Sequence, residues 1–240
     1  VVLDPFGGIG STGFVAVREG RKAVLVESRV TATRAIVGAL AGAGKPTALV
    51  NASAVGIYGS RADEPVDESA GPGSDFLASL CVTWEAEALR AAPQHRVVLL
   101  RTGLVLDPHA GALSRLLLPF RLGVGGPMGD GRQYWPWIHR DDWVRLVVAA
   151  MDDTRIMGPL NLTAPNPCTN REFARTLGRV LRRPALMPAP ALALRLALGE
   201  IADAMVLGGQ RAVPAKAVAL GLTFQYSSLE SALRELLGEQ

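Results

Sequence analysis

The sequence predicts an α/β protein: a reduced parallel sheet covered by helices, with a small, mostly helical lobe at the C-terminal end. Three observations carry this. Short continuous apolar runs, Ala48–Ser53 and Arg96–Leu100, alternate with stretches of helical periodicity, the pattern of strands buried on both faces. A glycine-rich loop, Gly7 to Gly13, follows the apolar run Val1–Leu3, as in a strand–loop–helix unit. The composition of the 240 residues, 49% hydrophobic and 20% charged, supplies a sizeable core and argues against disorder.

The elements follow in order. After the glycine loop, Phe14–Glu19 can start a helix, and Ala23–Val26 reads as a second strand ending at Glu27. Thr31–Ala43 reads as a helix with Ala35, Ile36, Ala39 and Leu40 on one face, stopped by Gly42 and Gly44. Asp75–Ala92 is helical with Asp75 as its N-cap. Gly111–Leu122 is a helix, Gly123–Trp137 a loop rich in Gly, Pro and Trp, and Asp141–Met151 a helix capped by Asp141 or Asp142. Leu160–Thr163 is a short strand. Thr169 to Glu172 form a capping box opening a helix to about Leu181. Ala191–Leu207 reads as one strongly apolar helix, and Ser227 to Glu230 as a second capping box. This organisation divides the chain into a nucleotide-binding part, 1–165, and a substrate-side helical lobe, 166–240.

Several function classes are excluded. The net charge is only +3 and no cluster of five basic residues occurs, so a nucleic-acid partner is not expected. No apolar run approaches the ~18–20 residues of a membrane span. Cys81 and Cys168 are far apart and no secretory leader precedes them, which favours reduced thiols and a cytoplasmic setting. His95, His109 and His139 form no close ligand pair with a cysteine, so no metal site is expected. The expected partner is a small molecule; the oligomeric state is left open.

The glycine loop is the first candidate site. Backbone N–H groups at such a turn can face a phosphate or carboxylate, and Gly7, Gly8, Gly10 and Gly13 let a ligand approach closely. An acid at the end of the next strand, here Glu27, accepts hydrogen bonds from a ribose. The run Asp4-Pro5-Phe6-Gly7-Gly8-Ile9-Gly10-Ser11-Thr12, then Gly20 to Glu27, resembles S-adenosylmethionine motif I of DNA adenine or cytosine-N4 methyltransferases. That resemblance ends near residue 27, and the family's catalytic Asp/Asn/Ser-Pro-Pro-aromatic motif is absent. It implies at most a remnant or fusion that binds S-adenosylmethionine.

From Ser28 onward the chain resembles the atypical extended short-chain dehydrogenases, the NAD(P)-dependent or sugar-nucleotide epimerase-type group. The residues that carry this are Ser28–Thr33, Ala52–Gly59, Asp75–Ala78, Cys81 with Trp84-Glu85, Arg101–Leu106, Pro136–His139 with Asp141-Asp142, Asn170–Ala174 and Pro214–Lys216. The segment from Pro188 resembles the group's small C-terminal domain of unassigned function. The resemblance implies a Rossmann-like fold, NADP or NAD as cofactor, and a sugar-nucleotide-like or carbonyl substrate. It implies catalytic roles for Ser53 at a strand end and Tyr58 in the following loop. Arg101 and Thr102 would lie beside the nicotinamide, and Arg132 and His139 on the substrate side.

Two departures accompany it. Ordinary members carry Tyr-x-x-x-Lys, in which Lys lowers the Tyr pKa for proton transfer. Here Leu77 and Cys81 stand at those positions. A non-catalytic nucleotide-binding protein is therefore the alternative. In addition, Gly13 and Ser28 are only 15 positions apart (28 − 13). The family's third strand, its neighbouring helices and an Asn-Leu-Ala-Gly stretch have no counterpart. The start at Val1, inside a strand-like run and without an initiator Met, reads as a fragment, and the join near Glu27/Ser28 reads as a fusion, a mis-assembled frame or a recombined ancestor. An acid at Glu27 also disfavours a 2′-phosphate by charge repulsion.

Overall fold

The computed structural model describes residues 22–42, 45–199 and 202–239. Gly7, Gly8, Gly10 and Gly13 lie outside the described residues, as do the strand expected at Val1–Leu3 and the helix start at Phe14–Glu19.

Nothing between Lys22 and Ala41 stops a helix except one glycine, Gly38, and the whole stretch forms α1 (Lys22–Ala41). The strand expected at Ala23–Val26 is thus a helical turn, and Glu27 lies within a helix rather than at a strand end. A four-residue apolar run is compatible with either state, and here it joins a longer helical pattern without a break. The chain then enters β1 (Ala48–Ala54), a 3₁₀ turn at Val55–Tyr58, the two-residue β2 (Pro65–Val66) and α2 (Phe76–Leu89). Asp75 caps α2 as expected, its carboxylate accepting from the Ala78 N–H at 2.8 Å.

β3 (Arg96–Thr102) follows, then β4 (Leu104–Leu106), α3 (Gly111–Arg121), β5 (Tyr134–Trp135) and β6 (Trp137–His139). α4 (Arg140–Asp152) is capped by His139, whose Nδ1 accepts from the Asp141 N–H; neither Asp141 nor Asp142 is the cap. The remaining elements are β7 (Gly158–Leu162), β8 (Cys168–Thr169), α5 (Asn170–Val180), α6 (Ala191–Leu198), β9 (Arg211–Ala212), α7 (Ala215–Ala219) and α8 (Leu229–Leu237). The Thr169–Glu172 capping box forms in both directions. The second one does not: Ser228 is the N-cap of α8 without a side-chain bond, and Glu230 instead pairs with Arg179 and Arg234. The expected helix Ala191–Leu207 is broken. α6 ends at Gly199, whose φ of 65° is open to glycine at little cost, and a π-helical turn follows at Ala202–Leu207.

The main sheet is parallel, with order β1-β3-β7 among the described residues. Its strands are buried on both faces, which is why they read as continuous apolar runs. Leu49, Leu99, Ala88 and Val97 pack under Ile36, Val37 and Leu40 of α1. On the other side Val50, Val98, Leu100, Leu160 and Leu162 meet Trp143, Leu146 and Val147 of α4. A further core cluster joins Leu106, Leu113, Phe120 and Trp137 to Phe173 and Leu177 of α5 and Leu233 and Leu236 of α8. The C-terminal helices therefore share a core with β4, α3 and β6. Among the described residues no helix is long and apolar enough to cross a membrane.

Candidate functional site at the carboxyl edge of the sheet

Register places the site. Ser53 on β1 pairs with Arg101 on β3, and Arg101 with Asn161 on β7, so these three polar residues form one row across the sheet. Partners in register point to the same face. The next row is Ala54, Thr102 and Leu162, the carboxyl ends of all three strands. In open parallel sheets ligands bind outside that edge.

The row is tied together by hydrogen bonds. The Ser53 hydroxyl donates to Glu85 Oε1 of α2 at 2.6 Å. Arg101 clamps the same carboxylate with both arms of its fork, Nε to Oε1 at 3.0 Å and Nη2 to Oε2 at 2.9 Å. Its Nη1 donates to the Tyr58 hydroxyl at 3.0 Å, and that hydroxyl donates to Asn161 Oδ1 at 2.7 Å. Ser53, Glu85, Arg101, Tyr58 and Asn161 are all buried. A carboxylate from the 67–70 turn extends the network: Glu68 accepts from the backbone N–H groups of Asn161 and Lys216, joining β7 to α7.

The electrostatics follow from burial. Burial pushes the Tyr58 phenol up, and the neighbouring Arg101 offsets this only in part. Burial also works to lower the Arg101 value, but the bonds to Glu85 and the pull of Tyr58 and Glu85 outweigh it, so the guanidinium stays charged. A phenol pushed up stays protonated and donates a hydrogen bond rather than a proton, the reverse of a Tyr-Lys pair, in which the Lys eases ionisation of the Tyr. At the Lys position, Cys81 is buried beside Ser53, and burial, with the Glu85 charge, pushes its thiol up to about 12. Burial likewise pushes the half-buried Cys168 up to about 12. Thiolate is the reactive form, so a thiol pushed up to about 12 stays protonated and unreactive at neutral pH. Alkylation of the native protein by iodoacetamide is accordingly expected to be far slower than in denaturant; equal rates would contradict the buried placement.

The other sequence candidates stand outside this hydrogen-bond network. Thr102 ends β3, and its hydroxyl accepts from Trp143 Nε1 at 3.3 Å. Arg132 is exposed in the loop before β5. His139 is fully buried, with both ring nitrogens engaged: Nδ1 caps α4, and Nε2 lies 2.8 Å from Glu235 of α8. Its ring also stacks on Tyr226 at 3.8 Å between centroids. Glu27 belongs to α1. From the sequence, Glu85 enters only as one of the residues that carry the resemblance, with no role of its own, and Asn161 and Glu68 are not singled out. A polar Asn inside the apolar run of β7 was the one available signal.

An α/β protein with a parallel sheet and polar residues gathered at its carboxyl edge is of the Rossmann-like class. The comparisons with known proteins narrow this. The profile described as NAD dependent epimerase/dehydratase family matches residues 9–161, and that of a domain of unknown function, DUF1731, matches residues 189–236. Epimerase family protein Mb2239 of Mycobacterium bovis is 45% identical over 214 residues, 88% of this chain and 70% of that protein. The crystal structure of human epimerase family protein SDR39U1 with NADPH superposes with a TM-score of 0.88 at 34% identity, covering 92% of this chain and 76% of that one. The nucleoside-diphosphate sugar epimerase of Corynebacterium glutamicum gives a TM-score of 0.75, also at 34% identity, and the match covers 92% of this chain and 44% of that one. The chain belongs to the NAD dependent epimerase/dehydratase family. The match begins at residue 9 and spans the Glu27/Ser28 join, and the likeness of 1–27 to an S-adenosylmethionine motif finds no support.

Proposed function

We propose that this chain binds NAD(P)(H) across the carboxyl edge of its sheet and holds a carbonyl or sugar-nucleotide-like substrate beside Ser53. The observation that supports this most directly is the NADPH-bound human relative, similar over 92% of the chain at 34% identity. In this reading residues 1–165 supply the cofactor side and 166–240 the substrate side. Gly7, Gly8, Gly10 and Gly13 serve the cofactor, Thr102 and Arg101 border the nicotinamide, and Arg132 faces the substrate; Glu27, within α1, loses the strand-end place on which its ribose role rested. When bound, the cofactor supplies or accepts hydride. The chain's own part is positional. Glu85 accepts a hydrogen bond from the Ser53 hydroxyl and so orients the Ser53 oxygen lone pairs. Tyr58, donating to Asn161 and accepting from Arg101, fixes the guanidinium that holds Glu85.

The test is NADPH-dependent turnover over a panel of carbonyl compounds and nucleoside-diphosphate sugars. Ser53→Ala is expected to lower kcat by about a hundredfold, the scale of one lost general acid–base or positioning group, with cofactor binding unchanged. Tyr58→Phe is expected to lower it less. The second reading is a nucleotide-binding protein without turnover, favoured by Leu77 and the neutral Cys81 at the proton-transfer positions. NADPH binding with no turnover across the panel would select it.

A further inference from the structure

Large apolar side chains stand clear of the core around α3 and α6. Leu186 and Leu196 are 82% and 81% exposed, and Leu118, Leu122, Val124 and Leu192 are each more than half exposed. Single residues of this kind are ordinary on a protein surface. These are gathered. Leu118 and Leu122 are one turn apart at the end of α3, and Leu192 and Leu196 are one turn apart on α6. The chain segments between them lie side by side. Pro184 packs against Gly123, and Gly126 passes so close to the Met187 backbone that no side chain would fit there. The Gly129 N–H donates to the Ala189 carbonyl at 2.9 Å, and the Ala189 N–H to the Pro127 carbonyl at 2.8 Å. α6 starts two residues on, at Ala191. The end of α3, the 122–129 and 184–190 segments and α6 are therefore neighbours on the surface.

The same segments carry positive charge and no negative charge. Neither 108–129 nor 173–199 contains an Asp or Glu. Arg115 shares a face of α3 with Leu118 and Leu122, at i, i+3 and i+7, and Arg121 directly precedes Leu122. Arg182 and Arg183 directly precede the Pro184 that packs on Gly123. All four arginines are exposed, and among the described residues none has an ion-pair partner, whereas Arg179 and Arg195 pair with Glu230 and Asp203. A contiguous apolar surface with a polar rim marks an interaction site. Its shape selects the partner. Peptides and folded partners that dock by an apolar patch are held in grooves and pockets with concave apolar walls. Leucines four-fifths exposed protrude instead and form no wall. A lipid bilayer closes around protruding side chains, and its anionic headgroups attract the arginines beside them.

We propose that this surface docks the protein on an anionic membrane face, where it lies without crossing the bilayer. Leu186, Leu192 and Leu196 enter the boundary between headgroups and acyl chains, and Arg115, Arg121, Arg182 and Arg183 hold the lipid phosphates and carboxylates. Such binding needs no spanning helix, in keeping with the described residues, in which no helix is long and apolar enough to cross. Because it joins apolar insertion to charge attraction, it requires both the leucines and the arginines, and it weakens as salt screens the headgroups.

The experiment is co-sedimentation of the full chain with phosphatidylcholine vesicles, either alone or with about one third phosphatidylserine, at low salt and at about 0.5 M salt. Wild type is expected to sediment with the phosphatidylserine vesicles at low salt, far less with phosphatidylcholine alone, and less at high salt. The double change Arg121→Gln with Arg183→Gln is expected to weaken binding about fivefold per charge removed. The double change Leu186→Ser with Leu196→Ser is expected to weaken it about tenfold per leucine. All four side chains are exposed, so the urea midpoint of each variant is expected to match wild type, and the two pairs keep the test decisive should one of them not fold. No sedimentation of wild type with phosphatidylserine vesicles at low salt would overturn the proposal. So would binding that the leucine pair leaves unchanged, which is charge attraction alone. A dimer in sedimentation velocity that Leu186→Ser with Leu196→Ser abolishes, without vesicle binding, would assign the surface to a second copy of the chain instead.

Discussion

Glu85→Ala is expected to destabilise the protein by about 3–5 kcal/mol, because it removes one partner of a buried ion pair and strands the other. Glu85 and Arg101 are only 5% and 8% exposed, and the carboxylate takes both arms of the guanidinium fork as well as the Ser53 proton. Without it, Arg101 keeps only the Tyr58 hydroxyl and, at 3.3 Å, the Glu68 carbonyl. The midpoint of urea unfolding measures the loss. Replacing both residues at once by Met is expected to cost clearly less than the sum of the single changes, since no charge is then left unpaired. A loss under about 1 kcal/mol for Glu85→Ala would mean that water reaches the pair and that it behaves as a surface salt bridge.

Asp142→Ala is expected to cost about 3 kcal/mol and to loosen the C-terminal segment selectively. The Asp142 carboxylate is 1% exposed and accepts the backbone N–H groups of Gln225 and Tyr226, both at 2.9 Å, as well as a bond from Arg145. Hydrogen bonds to a charged acceptor contribute about 1.5–3 kcal/mol each, and the orphaned N–H groups add a desolvation penalty. Amide exchange should therefore speed up first around residues 220–237, where Leu222 and Phe224 pack on the main core and α8 follows. Uniform acceleration across the whole chain would show instead that this segment unfolds with the rest.

How much of this the sequence disclosed depends on how local each signal is. The Asp75 cap and the Thr169–Glu172 box need only four residues each, and both form as read. β1 and β3 were legible because strands buried on both faces are mostly apolar, as in Leu49-Val50 and Val97–Leu100. The run Ala23–Val26 is equally apolar, but four such residues suit a helix as well, and their C-terminal neighbours continue a helix. The break at Gly199 was concealed by an apolar pattern that resumes beyond it. His139 shows the limit in another way: a residue placed by resemblance on the substrate side spends both ring nitrogens on α4 and α8. The row Ser53–Arg101–Asn161 was half legible. Ser53 and Arg101 sit at readable strand ends, but Glu85 joins them from a helix, and Asn161 reaches Tyr58 across 103 positions of sequence. Contacts of that range arise from sheet register and carry no local pattern.

We propose the carboxyl edge of this sheet as a nicotinamide dinucleotide site. Its most direct test is equilibrium titration of the purified chain with NADPH and NADH, followed by nicotinamide fluorescence and by thermal shift, with S-adenosylmethionine as the control. One dinucleotide per chain is expected to bind. At about a hundredfold excess over its dissociation constant it should add roughly 2.7 kcal/mol to stability, with no effect of S-adenosylmethionine. Saturation by neither NADPH nor NADH, or a shift with S-adenosylmethionine alone, would contradict it.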